Sequence, residues 1–386
     1  MSEPSPFPVL GAAPRIESLL IKPASAVCNL DCAYCFYLDR EADPYRDLPG
    51  RSMDQETLER LVDTWLFYSY PTSSFAFQGG EPTLAGLRFF EKLIEFQQRY
   101  GRGGQSVSNS LQTNGILINE DWCGLLKQYQ WLVGLSLDGP EEMHDRYRLN
   151  RGGSGTWKRV MKALETLQRH GVDYNILCVV SQANVEQPKE LYRFFRSAGA
   201  DNLQFIPLAE FDPAGNPLPF TITPQQYGRF LLEIFEVWWT ERRKVRVRLF
   251  DNVAEALAGL RPGNCTLHET CDSYVVVEYN GDVYPCDFFV SAEWKLGNIR
   301  VDSWPEIARR RKRYEFAAKK TLPHPECQRC EHSDICHGGC PKLRHGPHRD
   351  FHELDYFCQS YKMAFARIRE PLAADVKKLL RRTGSP

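Results

Sequence analysis

Three thiols stand within eight residues in CNLDCAYC, at Cys28, Cys32 and Cys35. A closed structural zinc site uses four ligands, usually as two pairs. A four-iron cube likewise takes one thiolate per iron. Three sulfurs in one loop therefore leave a position open for a substrate or cosubstrate. A zinc loop completed by a distant His or Cys is the alternative that spacing alone allows. Eight further cysteines follow residue 260: Cys265, Cys271, Cys286, Cys327, Cys330, Cys336, Cys340 and Cys358. Eight thiolates suit two closed four-thiolate sites, and a pair such as CQRC serves zinc as well as iron–sulfur. Cys123 and Cys178 are left over and read as isolated buried thiols.

Composition narrows the setting. The chain has 386 residues, 42% hydrophobic and 25% charged, which is a globular balance with room for one large domain and an extension, or for two domains. A net charge of −1 creates no global field favouring nucleic acid or an anionic membrane. The start, MSEPSPFPVLGAAPR, lacks the basic and then apolar order of a signal peptide. The greasiest run, FLLEIFEVWW, carries two Glu, is too short to span a bilayer and reads as a core helix. The expectation is a cytoplasmic protein with reduced thiols, in which clustered cysteines point to metal rather than disulfides.

The elements that must position these sulfurs alternate. SLLIKPA (18–24) reads as a strand, and the cysteine loop follows at once. Next come a helix with Asp54 as N-cap, the strand FAFQ broken by Gly79-Gly80, a helix, the strand VSNSLQTNG, a helix, and the strand WLVGLSLDG. A helix stopped by Gly171, the strand YNILCVV, a helix and the strand NLQFIPL complete six strand–helix units. Such alternation predicts a parallel sheet with right-handed crossovers, either doubly wound or an incomplete barrel. In both, sites gather at the C-terminal ends of the strands, where the cysteine loop, Gly79-Gly80-Glu81, Thr113-Asn114 and Ser136 all fall. Beyond residue 250 the alternation stops. VVVEYNGDVYPCDFF reads as a hairpin turning on Asn280-Gly281, and the last segment as an amphipathic helix kinked or restarted at Pro371.

CNLDCAYC resembles the CX3CXΦC loop of radical S-adenosylmethionine (SAM) enzymes, in which SAM chelates the open iron of a [4Fe–4S] cluster. Over roughly the first 240 residues the motif order also matches. The resemblance implies an incomplete (β/α)6 barrel. By position, Gly79, Gly80 and Glu81 of GGEP would receive the methionyl amino group, Tyr34 would lie near the adenine, and Ser136 would bind the ribose. Arg148 would pair with the SAM carboxylate, and main chain near Ala209 would meet the adenine.

The C-terminal region resembles the SPASM domain, through CX5C, GDVYPCD, CX2CX5CX3C and a last Cys. That likeness implies one auxiliary [4Fe–4S] cluster on Cys265, Cys271, Cys286 and Cys340, and another on Cys327, Cys330, Cys336 and Cys358. The implied division is a radical SAM partial barrel over 1–250, a SPASM domain over 251–360 and a C-terminal helix over 361–386.

Within these families, QGGEPTLAG, SNSLQTNG, SLDGP and YPCDFF resemble the anaerobic sulfatase-maturating enzymes. These oxidise a Cys or Ser of a sulfatase to formylglycine. The implied route is reductive cleavage of SAM to a 5′-deoxyadenosyl radical, hydrogen abstraction from the target's β-carbon, and loss of a proton to a base and of an electron to an auxiliary cluster. Asp287 matches the family's base, and Tyr37 and Gln78 are candidate contacts to the target peptide. The partners implied are an unfolded Cys/Ser-x-Pro-x-Arg segment of a sulfatase and a reduced flavodoxin- or ferredoxin-type donor, with no nucleic acid and no membrane.

Two rivals stay open at this level. One is a SPASM enzyme that cross-links or epimerises another ribosomal peptide. Such enzymes often carry an N-terminal peptide-binding domain, for which about two dozen residues ahead of Cys28 are too few. The other is a non-catalytic zinc-binding adaptor.

Overall fold

The computed structural model describes residues 15–37, 43–48, 51–322, 324–344 and 351–383. The Pro-rich start, residues 1–14, and the last three residues lie outside them.

Seven strands run parallel in chain order: β1 (Ser18–Lys22), β2 (Thr72–Phe77), β3 (Ser106–Thr113), β4 (Leu132–Ser136), β5 (Asp173–Val180), β6 (Asn202–Pro207) and the short β7 (Arg246–Val247). Strictly sequential order is the mark of a barrel wall. A doubly wound sheet would reverse direction from an internal strand. The alternation read from the sequence thus resolves in favour of the incomplete barrel.

Helices fill the crossovers: α1 (Gln55–Ser69), α2 (Leu87–Tyr100), α3 (Glu120–Gln128), a short α4 (Glu141–His144), α5 (Trp157–Arg169), α6 (Pro188–Ser197) and α7 (Pro224–Glu241). Local chemistry sets their starts. The Asp54 side chain accepts from the Thr57 amide at 2.7 Å to open α1. Thr223 and Gln226 form a reciprocal capping box behind Pro224 at α7. The apolar face of α7 buries Tyr227, Phe230, Leu231, Ile234 and Trp238, so FLLEIFEVWW is a core helix as expected. No helix among the described residues is long and apolar enough to cross a membrane.

The free edge of the wall is not left open. The hairpin β8 (Tyr274–Glu278) and β9 (Asp282–Tyr284), turning through Gly281 at φ +86°, lays β8 parallel against β1. With β10 (Gly297–Asn298) it extends the sheet to ten strands, in the order β10-β9-β8-β1-β2-β3-β4-β5-β6-β7. The register pairs Lys22 with Glu278. The cysteine-rich region is therefore joined to the barrel by backbone hydrogen bonding rather than by a loose linker. A terminal helix, Cys358–Thr383, passes through Pro371 without a restart and packs on α7, where Tyr227 meets the rings of Phe357 and Tyr361.

Candidate active site

β1 ends at Lys22 and the chain turns into the first cysteine loop. Main-chain bonds hold that loop on two sides. On one side, Gly80 N donates to Ser25 O and Glu81 N to Val27 O, both at 2.8 Å. On the other, Asp31 N donates to Leu149 O at 2.9 Å and Ala33 N to Tyr147 O at 3.0 Å. Gly79 and Gly80 are needed for the first contact. A Cβ on Gly79 would lie 2.6 Å from Ser25 O, and one on Gly80 only 2.1 Å from Val27 O. The close approach these glycines make here is to the cysteine loop itself.

Glu81 is fully buried, and its carboxylate accepts from Thr83 N, Thr83 Oγ1, Thr113 Oγ1 and Asn114 N at 2.6–3.0 Å. It ties the end of β3 to the loop after β2. Asn114 continues the link, donating to Asn29 Oδ1 at 2.8 Å and to Cys28 Sγ at 3.6 Å. Burial pushes the Cys32 thiol up to about 12. Arg148 opposes this, while Cys35 and Cys28 add to it. The Cys28 thiol is raised by burial and by the nearby Glu81 and Cys35 charges. Three sulfurs thus press on one another at the mouth of the wall.

Above them, Asp138 organises the remaining candidates. Tyr34 donates its hydroxyl to Asp138 Oδ2, the same oxygen that accepts from Arg148 Nε at 2.9 Å. Val179 N donates to Asp138 Oδ1 at 2.9 Å. Arg148 is buried over the Tyr34 ring, and its two Nη groups have no partner among the described residues. Ser136 is buried at the end of β4, two residues before Asp138. Ala209 follows β6, and its carbonyl accepts from Lys342 Nζ at 2.9 Å. Sequence reasoning missed Asp138 because a strand-end SLDGP reads first as a turn.

None of the thirteen cysteines is in a disulfide. The C-terminal eight fall into two groups by mutual influence. Burial raises Cys271 to about 12 and Cys340 to about 11, with Cys265 pressing on both. Burial followed by Cys340 and Cys265 raises Cys286. Burial raises Cys336 to about 12 and Cys358 to about 11, with Cys358 and Cys327 pressing on the former, and Cys327 and Cys330 on the latter. Cys327, Cys330, Cys336 and Cys358 also line one cavity together with Tyr361 and Phe365. Buried Lys320 stands beside the first group, its ammonium bonded to Cys265 O and Thr266 O at 2.8 Å.

These donors suit iron–sulfur clusters. Crowded buried thiols resist ionisation alone, and ligation to iron removes that penalty. A buried lysine beside three of them, Cys265, Cys271 and Cys340, suits a group of net negative charge. No group of three or more His, Cys, Asp or Glu among the described residues is arranged around a single metal ion.

Asp287 follows Cys286 in a short turn and is 3% exposed. Tyr37 donates its hydroxyl to Asp287 Oδ2, and Gln78 Nε2 donates to the same oxygen at 3.4 Å. Both side chains named as peptide contacts therefore reach the carboxylate. Tyr37 lies two residues past Cys35, so this contact joins the first cysteine loop to the C-terminal cysteine region at Cys286. Lys22 Nζ lies 3.5 Å from Asp287 Oδ1 and 2.6 Å from Glu278 Oε1. Neither Lys22 nor Glu278 stood out in the sequence, where each simply ends an apolar strand.

Residues 23–195 match the Radical SAM superfamily, and residues 265–331 match the iron–sulfur cluster-binding SPASM domain. The chain is 40% identical over 356 residues to a cysteine-type anaerobic sulfatase-maturating enzyme of Clostridium perfringens, covering 90% of this chain and 95% of that one. It is 35% identical over 387 residues to a serine-type enzyme of Bacteroides thetaiotaomicron, covering 95% and 93%. A solved structure, native anSMEcpe with bound AdoMet and Cp18Cys peptide, superposes with a TM-score of 0.87 at 38% identity, covering 94% of this chain and 99% of that one. With relatives of this identity along nearly its whole length, the chain belongs to the anaerobic sulfatase-maturating enzymes of the radical SAM superfamily.

Proposed function

We propose that this protein oxidises a Cys or Ser side chain in an extended sulfatase segment to Cα-formylglycine, with SAM and three [4Fe–4S] clusters. The observation that carries the reading is Asp287, a buried carboxylate adjoining Cys286 and hydrogen-bonded by Tyr37, just past Cys35. It stands where a proton acceptor is needed, between a three-thiol and a four-thiol group.

Cys28, Cys32 and Cys35 would hold the cluster with an open iron. Cys265, Cys271, Cys286 and Cys340 would hold one closed cluster, and Cys327, Cys330, Cys336 and Cys358 the other. When bound, the open cluster and SAM supply removal of a hydrogen atom from the target's β-carbon, and a closed cluster supplies a sink for one electron. Asp287 accepts the proton of the thiol or hydroxyl. Loss of a hydrogen atom, a proton and an electron leaves a thioaldehyde from Cys, which water converts to the aldehyde with release of hydrogen sulfide. From Ser it leaves the aldehyde directly.

The guanidinium of Arg148, held by Asp138 through Nε, offers its Nη groups to the SAM carboxylate. Glu81 acts by bracing the GGEP turn, so that main chain rather than its carboxylate faces the cosubstrate. Tyr34, fixed by Asp138, forms the floor beside the adenine, Ser136 meets the ribose, and the chain at Ala209 borders the adenine. Tyr37 and Gln78 hold Asp287 toward the target. A flavodoxin- or ferredoxin-type protein would supply the reducing electron.

The reading is tested by incubating iron-reconstituted, reduced enzyme with Cys-x-Pro-x-Arg and Ser-x-Pro-x-Arg peptides and SAM, followed by mass spectrometry. Conversion of at least one to the aldehyde is expected. Two unchanged peptides alongside active SAM cleavage would direct attention to a different ribosomal peptide.

A further inference from the structure

The carboxylate proposed as the base lies in the cysteine-rich region, while the target's β-carbon must lie over the barrel. Something has to fix one against the other. Tyr37 and Gln78 do so by hydrogen bonds from the barrel side. Lys22 is a third barrel residue reaching across, and of these three it is the one that carries charge. It is 2% exposed, with Nζ 2.6 Å from Glu278 and 3.5 Å from Asp287, and 4.7 Å from the centre of the Tyr37 ring.

The backbone explains why Lys22 stays there. Lys22 closes β1 and Glu278 closes β8, and the two are direct partners in the parallel register. Glu278 is fully buried, and burial raises its pKa while Lys22 opposes that shift. A carboxylate in such a place is tolerable only with a cation beside it. The Glu278 pairing therefore anchors the ammonium, and the ammonium in turn faces Asp287 at ion-pair distance without a short hydrogen bond.

We propose that Lys22, anchored by Glu278 through the β1–β8 register, is a positioning residue that holds Asp287 against the barrel for its part in side-chain oxidation. The inference rests on the reading of Asp287 as the base. Lys22 does not touch the substrate. Its ammonium fixes the carboxylate's direction and also lies over the ring of Tyr37, which bonds the same carboxylate. A positioning error of about 1 Å at a reacting group can cost on the order of 100-fold in rate.

The test uses iron-loaded, full-length protein. Removing Lys22 alone strands Glu278, so the informative variant is K22M/E278Q, which removes both charges together. Iron content should match the parent, and oxidised peptide per 5′-deoxyadenosine formed should fall at least about tenfold, through kcat rather than KM. K22R should recover part of that ratio. An unchanged ratio in K22M/E278Q, with the parent oxidising peptide, overturns the positioning role. A parent that oxidises no peptide speaks instead against the proposed function.

A second readout does not need activity. In the E278Q background, thermal unfolding is measured for K22M, D287N and both together. The clamp predicts that the two changes are non-additive, because each removes the same interaction. Additive costs overturn the clamp whatever the catalytic result.

Discussion

At the scale of single residues, reactivity is assigned by what a side chain still has to offer once its neighbours are satisfied. Glu81 is fully occupied by four donors, so its carboxylate braces a turn. Arg148 spends Nε on Asp138 and keeps two forked donors, the geometry a carboxylate ligand requires. Asp287 is held by Tyr37, Gln78 and Lys22 beside a thiol. Asp287→Asn keeps the volume and removes proton acceptance. Peptide oxidation should fall about 100-fold or more, the usual worth of a general base, while 5′-deoxyadenosine is still formed in the presence of SAM and reductant. Chromatography of both products checks this, and oxidation at the parental rate would remove Asp287 from the mechanism. Asp287 was legible in the sequence because it adjoins Cys286 within a motif. Lys22 and Glu278 were not, since a buried ion pair between residues more than 200 positions apart has no local signature, and Asp138 was hidden in what reads as a turn.

At the scale of elements, strand ends do the positioning. The alternation of apolar runs and amphipathic helices was readable from periodicity, and β1 through β6 and their helices fall where that pattern puts them. The partner of β1's outer edge was not. An apolar run such as SLLIK signals burial on both faces without saying which strand lies beside it, and β8 arrives from 256 residues away. The glycines after β2 were readable as a close approach, but what they approach is the loop at Ser25 and Val27. Gly80→Ala puts a methyl where a carbonyl oxygen stands, at 2.1 Å. The loop must then shift, and iron should drop by about four per chain, the content of one cube, with the C-terminal iron retained. Iron analysis and electron paramagnetic resonance read this directly. Full iron with normal SAM cleavage would show that the loop tolerates the shift.

The whole molecule is one sheet shared by two chemistries. The terminal helix opens on Cys358 and runs down α7, while β8, between Cys271 and Cys286, pairs with β1 just before the first cysteine loop. The C-terminal clusters are thus expected to support the barrel's edge as well as their own domain. With metal ligation coupled to folding, removing iron should lower protection against hydrogen exchange in β8, β9 and the start of the terminal helix, and then in β1. Equal protection with and without iron in those strands would mean that side-chain packing alone holds the edge. The interleaved order of the eight C-terminal cysteines in the sequence is in keeping with such dependence. The spatial link to β1 shows where in the barrel the loss is to be felt.

The most direct test of the account follows one atom. The enzyme is given a Cys-x-Pro-x-Arg peptide carrying deuterium at the cysteine β-carbon, with SAM and reductant, and the 5′-deoxyadenosine is isolated for mass analysis. The account predicts one deuterium in that product, appearing together with formylglycine in the peptide. Formylglycine formed while the 5′-deoxyadenosine stays unlabelled would contradict it.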